Sequence, residues 1–456
     1  MQRDLTEGSV LKNLLIFAVP YFIATFLQSF YGLVDLFVVG RFNGAEVISA
    51  VSSGSQVMHM VTVTIVGFAM GATVLIGRMV GEKNTEGRSR AIGTTITLFL
   101  LLAILLTVFL LLNLNHILSW LSVPEEAWSQ TADYLRVCFM GVPAIVFYNV
   151  ASSIFRGLGD TKTPMYFVAV SGLLNILLDF ILIGSFHMGA EGAAIATVAA
   201  QILSVFLAFF SLLRPKRGLG IHRQDLAVKG ELLSAILRVG LPIAAQEFLI
   251  QISFLVITAI ANDRGVVASA SVGIVEKIIS FLFLFQSAML SAVSTLTAQN
   301  IGANKHEQGE KALKYGVFLG MGYACCVILI CEIFAEGLIG LFTTGEPEVV
   351  LMGSQYLRSY VIDAFFVSIH FCFSGYFTAY GKSLLSFLQS LAAIILLRIP
   401  GAYLASMLFP QTLFPMGLAA PAGSLLSAVI CLVAYFKFHK KWILQLQNQV
   451  QEKAAL

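Results

Sequence analysis

Two carboxylates stand in surroundings where carboxylates are rare. Asp35 lies in the run Leu33-Val34-Asp35-Leu36-Phe37-Val38-Val39, and Asp179 in Leu177-Leu178-Asp179-Phe180. An ionised side chain inside a bilayer costs roughly 3 kcal/mol or more unless water, a proton or a counter-ion compensates it, so each is a functional candidate by default. Asn175 precedes Asp179 by four residues, which on a helix places amide and carboxylate on one face, one turn apart. Thr197 and Tyr134 bring hydroxyl oxygens into otherwise apolar company. Two carboxylates, an amide and hydroxyls make an oxygen-rich site suited to a proton or a small hard cation. The plainer reading is that Asn175 and Asp179 satisfy each other and nearby backbone as polar glue between helices.

The elements that must position these groups are membrane helices. The chain has 456 residues, 58 % hydrophobic and only 12 % charged, and its mean hydropathy is +0.86. That composition excludes a soluble enzyme, a disordered chain and a coiled coil, and a net charge of +3 gives no footing for nucleic acid. Six cysteines lie in apolar stretches without a CxxC pair, so neither a zinc site nor a disulfide framework is expected. Twelve apolar stretches reach the length of about 20 residues that a span requires. They run approximately over 14–39, 47–77, 91–112, 132–155, 164–186, 190–213, 232–261, 267–298, 313–334, 354–379, 384–407 and 417–437. The first lacks a cleavage site and reads as a retained span. With both termini placed inside, 21 Lys and Arg fall in inside segments and two, Arg41 and Arg264, in outside loops. That asymmetry predicts cytoplasmic termini. Of the basic residues left inside spans, Arg136, Arg238, Lys277, Arg358 and Arg398, those near span ends are expected to snorkel.

The chain also repeats itself. Tyr134-Leu135-Arg136 returns as Tyr356-Leu357-Arg358 at an offset of 222, which also pairs Pro20 with Pro242, Phe155 with Phe377 and Gly159 with Gly381; one residue of slippage pairs Gly81 with Gly302. Two six-helix halves follow, entering the membrane in the same direction and related by an axis along its normal. The expected fold is therefore all-α and integral to the membrane, with two pseudosymmetric bundles around a central cavity. Its parts are an N-lobe over 1–215, a basic cytoplasmic linker over 216–230 and a C-lobe over 231–456.

Pro20, the stretch from Val34 to Arg41, the loop from Phe155 to Lys162, the pair Asn175 and Asp179, and the stretch from Gln299 to Ala303 together resemble the MATE family, the multidrug and toxic compound extrusion transporters. The resemblance covers nearly the whole chain and rests on the order and spacing of these segments. In the prokaryotic branch it implies an N-lobe cation site at Asp35, Asn175, Asp179, Thr197 and Tyr134, with sodium as one possible occupant, and a helix kink at Pro20. A second cation site described in the family uses a Glu in the seventh span and an Asp in the tenth. Here Ile250 and Val367 stand at the aligned places, while Glu247 and Asp363 sit three and four residues earlier. Those two could line the cavity, or Glu247 could neutralise Lys277; Glu276 beside Lys277 reads equally as a buried pair or a site. Further candidate liners are Gln28, Phe30, Tyr31, Met58, Met70, Phe254, Phe281 and Met289, although any one of them is also an ordinary packing residue.

The resemblance implies a secondary active transporter of lipophilic organic cations, driven by inward movement of H+ or Na+ with no cofactor, acting as a monomer in a bacterial plasma membrane. No GxxxxGK[ST] stretch is present. Gly157-Leu158-Gly159-Asp160 spells the GxGD of intramembrane aspartyl proteases, but its place between Arg156 and Lys162 in a loop suits a tight turn better. The remaining alternative, a flippase of a lipid or lipid-linked precursor, would want a cavity rich in arginine, whereas this N-lobe is acidic.

Overall fold

The computed structural model describes residues 4–121, 123–212, 222–343 and 345–455. Among them, eleven helices are long and apolar enough to cross a membrane, and a twelfth span consists of Glu125–Met140 and Val142–Gly157, bent by 48° at Gly141. The others are Val10–Phe42, Glu46–Gly81, Thr85–Leu112, Lys162–Ser185, Gly189–Leu212, Gly230–Asn262, Val266–Gly302, His306–Gly340, Pro347–Ala379, Ser383–Leu408 and Phe414–Leu444. Pro20 and Pro242 each lie inside the long helix that opens a half, and both helices continue through them. Each proline removes one backbone N–H from the ladder and leaves a point where the helix bends easily.

The contacts divide into two compact units. One comprises Met1–Asp4 with Val19–Ala244, and the other Leu5–Ala18 with Ala245–Leu456. The division therefore runs through both opening helices, next to Pro20 and Pro242. Residues 5–18 and 231–244 group with the unit opposite to the one a simple halving of the sequence assigns them. In the second unit Leu5, Leu14 and Phe17 are buried in one cluster with Met289, Leu296 and Tyr376. The Leu5 N–H donates to Gln299 Oε1 at 3.1 Å, and Asn13 Nδ2 to the Glu7 carbonyl at 2.8 Å. The first unit's core is continuous from Val38 and Val39 through Phe68, Ile76, Phe99, Leu135, Phe139, Ile154 and Phe155 to Ile236. Of the linker expected at 216–230, the part up to 221, with Lys216 and Arg217, lies outside the described residues. The remainder opens with the 3-10 turn Arg223–Leu226, whose Leu226 carbonyl accepts from Thr97 Oγ1 at 2.7 Å.

The repeat is conformational as well as textual. Helix four ends with the Asp160 N–H bonded to the Phe155 carbonyl at 2.9 Å, and helix ten with the Lys382 N–H bonded to the Phe377 carbonyl at 2.8 Å, both of 6→1 type around a left-handed glycine, Gly159 at φ 79° and Gly381 at φ 71°. The second and eighth spans close the same way: Asn84 N–H to Met79 and Lys305 N–H to Asn300, around Lys83 at φ 54° and Asn304 at φ 57°. Asp160 is consumed in this architecture. Its carboxylate accepts from the Thr163 N–H at 3.0 Å and Thr163 Oγ1 at 2.7 Å, so it ties down the start of the fifth span. Because an L-residue in the left-handed region loses about 1–2 kcal/mol, Gly159→Ala and Gly381→Ala should each lower the thermal midpoint of the purified protein. Alanine at the neighbouring Leu158 position should leave the turn's hydrogen bonds intact by hydrogen exchange.

Candidate functional site

Four helices of the first unit bring the oxygen-bearing residues together. The first span holds Asp35 next to Val38 and Val39, both without exposed surface, so its far end is fixed in the core. Fifth and sixth spans meet closely because the sixth offers Ala193, Ala194 and Ala196, all buried, and Thr197 follows on the same helix. Tyr134 enters from the first segment of the fourth span. Its ring lies against Gly54 of the second, where a Cβ would stand 2.3 Å from the ring. The α-helix of the fifth span stops at Asp179 and gives way to a π turn over Phe180–Ser185. Widened turns of this kind are frequent at functional sites because they change the register of the following side chains.

The resulting geometry is a cage with unspent hydrogen-bonding capacity. Thr197 Oγ1 donates to Asp35 Oδ2 at 3.4 Å, and Asp179 and Asn175 are the other polar groups facing the Asp35 carboxylate. Tyr134 lies in the electrostatic range of both carboxylates. Asp179 has no exposed surface and Asn175 is 4 % exposed. Asp35 Oδ1, both Asp179 carboxylate oxygens and Asn175 Nδ2 are buried with no hydrogen-bond partner. No hydrogen bond joins Asn175 to Asp179; both face the Asp35 carboxylate instead. No group of three or more His, Cys, Asp or Glu able to hold a metal occurs among the described residues. The cage has only two formal negative charges, which suits a monovalent ion or a proton.

The second unit arranges its charges otherwise. No hydrogen bond or ion pair joins Glu247 to Asp363 among the described residues. Asp363, 1 % exposed, instead lies in the field of Arg398, and so does Glu276. Arg398 does not snorkel: its Nη2 donates to Tyr360 Oη at 2.6 Å and its guanidinium lies 4.5 Å from the Phe254 ring centre. Lys277 is exposed and is not Glu276's partner; Glu276 Oε2 accepts from Thr258 Oγ1 at 3.1 Å. Arg398 ends a second π turn, Ile394–Arg398, on the eleventh span, the counterpart of the fifth. Sequence reasoning missed this cluster. A lone arginine some fifteen residues into a span, with a tyrosine, an aspartate and a glutamate on neighbouring spans, was the available signal. Of the other candidate liners, Met58, Met70 and Met289 are buried, at 8 %, 5 % and 0 % exposure. Phe30 is exposed, while Gln28, Tyr31 and Phe281 are half-buried.

Comparison with known proteins agrees with this architecture. The MatE family model matches twice, over residues 20–181 and 242–404, so both matches begin at the paired prolines. The chain belongs to the MatE family, whose members are transporters and not enzymes. Among its curated relatives, a probable multidrug resistance protein, YoeA of Bacillus subtilis, is 28 % identical over 440 residues, covering 95 % of each chain. The multidrug export protein MepA of Staphylococcus aureus is 25 % identical over 422 residues, covering 92 % of this chain and 91 % of the relative. An outward-facing multidrug resistance MATE transporter of solved structure superposes with a TM-score of 0.89 at 23 % identity, over 97 % of this chain and 98 % of that one.

The charge arrangement in the second unit makes a prediction. Removing Arg398 leaves two carboxylates without their shared counter-charge, and a stranded buried charge is strongly destabilising. Arg398→Met should lower the thermal midpoint in detergent, and adding Asp363→Asn should recover part of the loss. A double-mutant cycle with zero coupling would show that the two groups do not interact.

Proposed function

We propose that this protein is a secondary active efflux transporter that exports lipophilic organic cations in exchange for inward-moving protons or sodium ions. The observation that carries the reading is the cage of Asp35, Asn175, Asp179 and Thr197, with four buried polar atoms lacking partners. Two carboxylates sharing one site out of water repel each other, and a proton or sodium ion relieves the repulsion. With the ion bound, the first unit has less negative charge to offer an organic cation. With the ion gone, the charge returns. Alternating exposure of such a site to the two sides of the membrane makes exchange obligatory. One net charge moving inward across 100 mV supplies about 2.3 kcal/mol, roughly a fifty-fold concentration ratio, so no nucleotide is needed.

The names of the relatives, multidrug resistance and multidrug export proteins, agree with this substrate class. The acidic character of the cage favours a cationic cargo over a lipid pyrophosphate. The excess of Lys and Arg in one set of loops supports cytoplasmic termini in a bacterial plasma membrane.

Uptake of ethidium into proteoliposomes, with pH and sodium gradients imposed separately, tests the reading. One gradient should drive the dye in the wild type, and Asp35→Asn or Asp179→Asn should reduce that transport at least tenfold while the variants remain monodisperse. Transport insensitive to both gradients, or unaffected in both variants, contradicts it.

A further inference from the structure

One turn below the cage, the Tyr31 ring of the first span packs on the backbone of the fifth. Both helices start from the same side of the membrane, so residues earlier in each lie on the same side of Asp35 and Asp179. Tyr31 precedes Asp35 by four residues, about 6 Å along the axis, and Gly172 precedes Asn175 by three. The Tyr31 ring sits directly on Gly172, where a Cβ would stand 2.2 Å from both Cε1 and Cζ of the ring. The ring is pinned there by its hydroxyl, which donates to the Val168 carbonyl at 2.6 Å. Below the ring, Ala24, Tyr148 and Val168 form an apolar cluster. Further toward the helix starts Arg156 is 3 % exposed, with its guanidinium 5.3 Å from the Tyr21 ring centre and with Nε and Nη2 lacking partners.

A cation leaving the cage toward the helix starts thus meets an aromatic ring, then an apolar collar, then a fixed positive charge. Each raises the energy of a small cation in transit, the first two by withholding water and the last by repulsion. We propose that Tyr31 is the ion gate on this side of the cage, seated on Gly172, and that it keeps the coupling ion from crossing without cargo. Gly172 is the seat because any side chain there displaces the ring. Tyr31 on this account guards the ion site and is not primarily a surface for the drug. The inference rests on the exchange reading, because a gate matters only where an ion must not leak.

The test is leak without drug. Wild type, Gly172→Ala, Tyr31→Ala and Gly172→Ala combined with Asp35→Asn are reconstituted, with a pH-sensitive and a sodium-sensitive dye trapped in parallel liposomes. Gly172→Ala and Tyr31→Ala should dissipate one of the two gradients at least fivefold faster than wild type, and Asp35→Asn should cancel the leak of Gly172→Ala. If Gly172→Ala fails to fold, Tyr31→Ala, which leaves helix five unaltered, carries the test alone. Variants as tight as wild type overturn the gate, and so does a leak that survives Asp35→Asn. The exchange reading fails separately, when wild-type ethidium transport ignores both gradients.

Discussion

Two carboxylates facing each other among apolar helices repel unless a positive charge joins them. Asp35 and Asp179 are in that position, and Asn175, Thr197 and Tyr134 surround them without cancelling either charge. Several packing features of the first unit bring these residues together. The alanines of the sixth span let it approach the fifth, Gly54 admits the ring of Tyr134, and the valines after Asp35 lock the far end of the first span. A site that is costly when empty of positive charge and settled when filled can couple an ion to a conformational state. A ligand shifts such an equilibrium only by the difference in its affinity for the two states.

The second unit meets the same constraint with a resident cation. Arg398, resting on Phe254 and bonded to Tyr360, supplies positive charge to Asp363 and Glu276 permanently. The two carboxylates of the first unit have no basic residue beside them, whereas those of the second lie in the field of Arg398.

Much of this was legible in the sequence. The twelve spans follow from apolar length, and the paired turns around Gly159 and Gly381 follow from an offset of 222 that the backbone reproduces down to the same 6→1 hydrogen bonds. The cage residues were legible because a carboxylate among leucines and valines has few innocent explanations. What escaped was set by three-dimensional neighbours. The π turns at Phe180–Ser185 and Ile394–Arg398 have only weak local marks, Gly184 within the first and Pro400 just after the second, and neither residue by itself specifies a widened turn. Arg398 read only as a basic residue inside a span, because its holders, Phe254 and Tyr360, come from two other spans. The regrouping of residues 5–18 and 231–244 was likewise invisible, since it depends on which unit each segment packs against.

The central claim is that ion and organic cation compete for one pair of carboxylates. Equilibrium binding of tetraphenylphosphonium to the purified protein, titrated across pH and sodium concentration, measures that competition directly. The account predicts that affinity falls as one of the two ions rises, with about one proton or sodium ion displaced per cation bound, and that the dependence vanishes in Asp35→Asn. Binding of the same affinity at every pH and sodium concentration, in a protein that still transports, would contradict it.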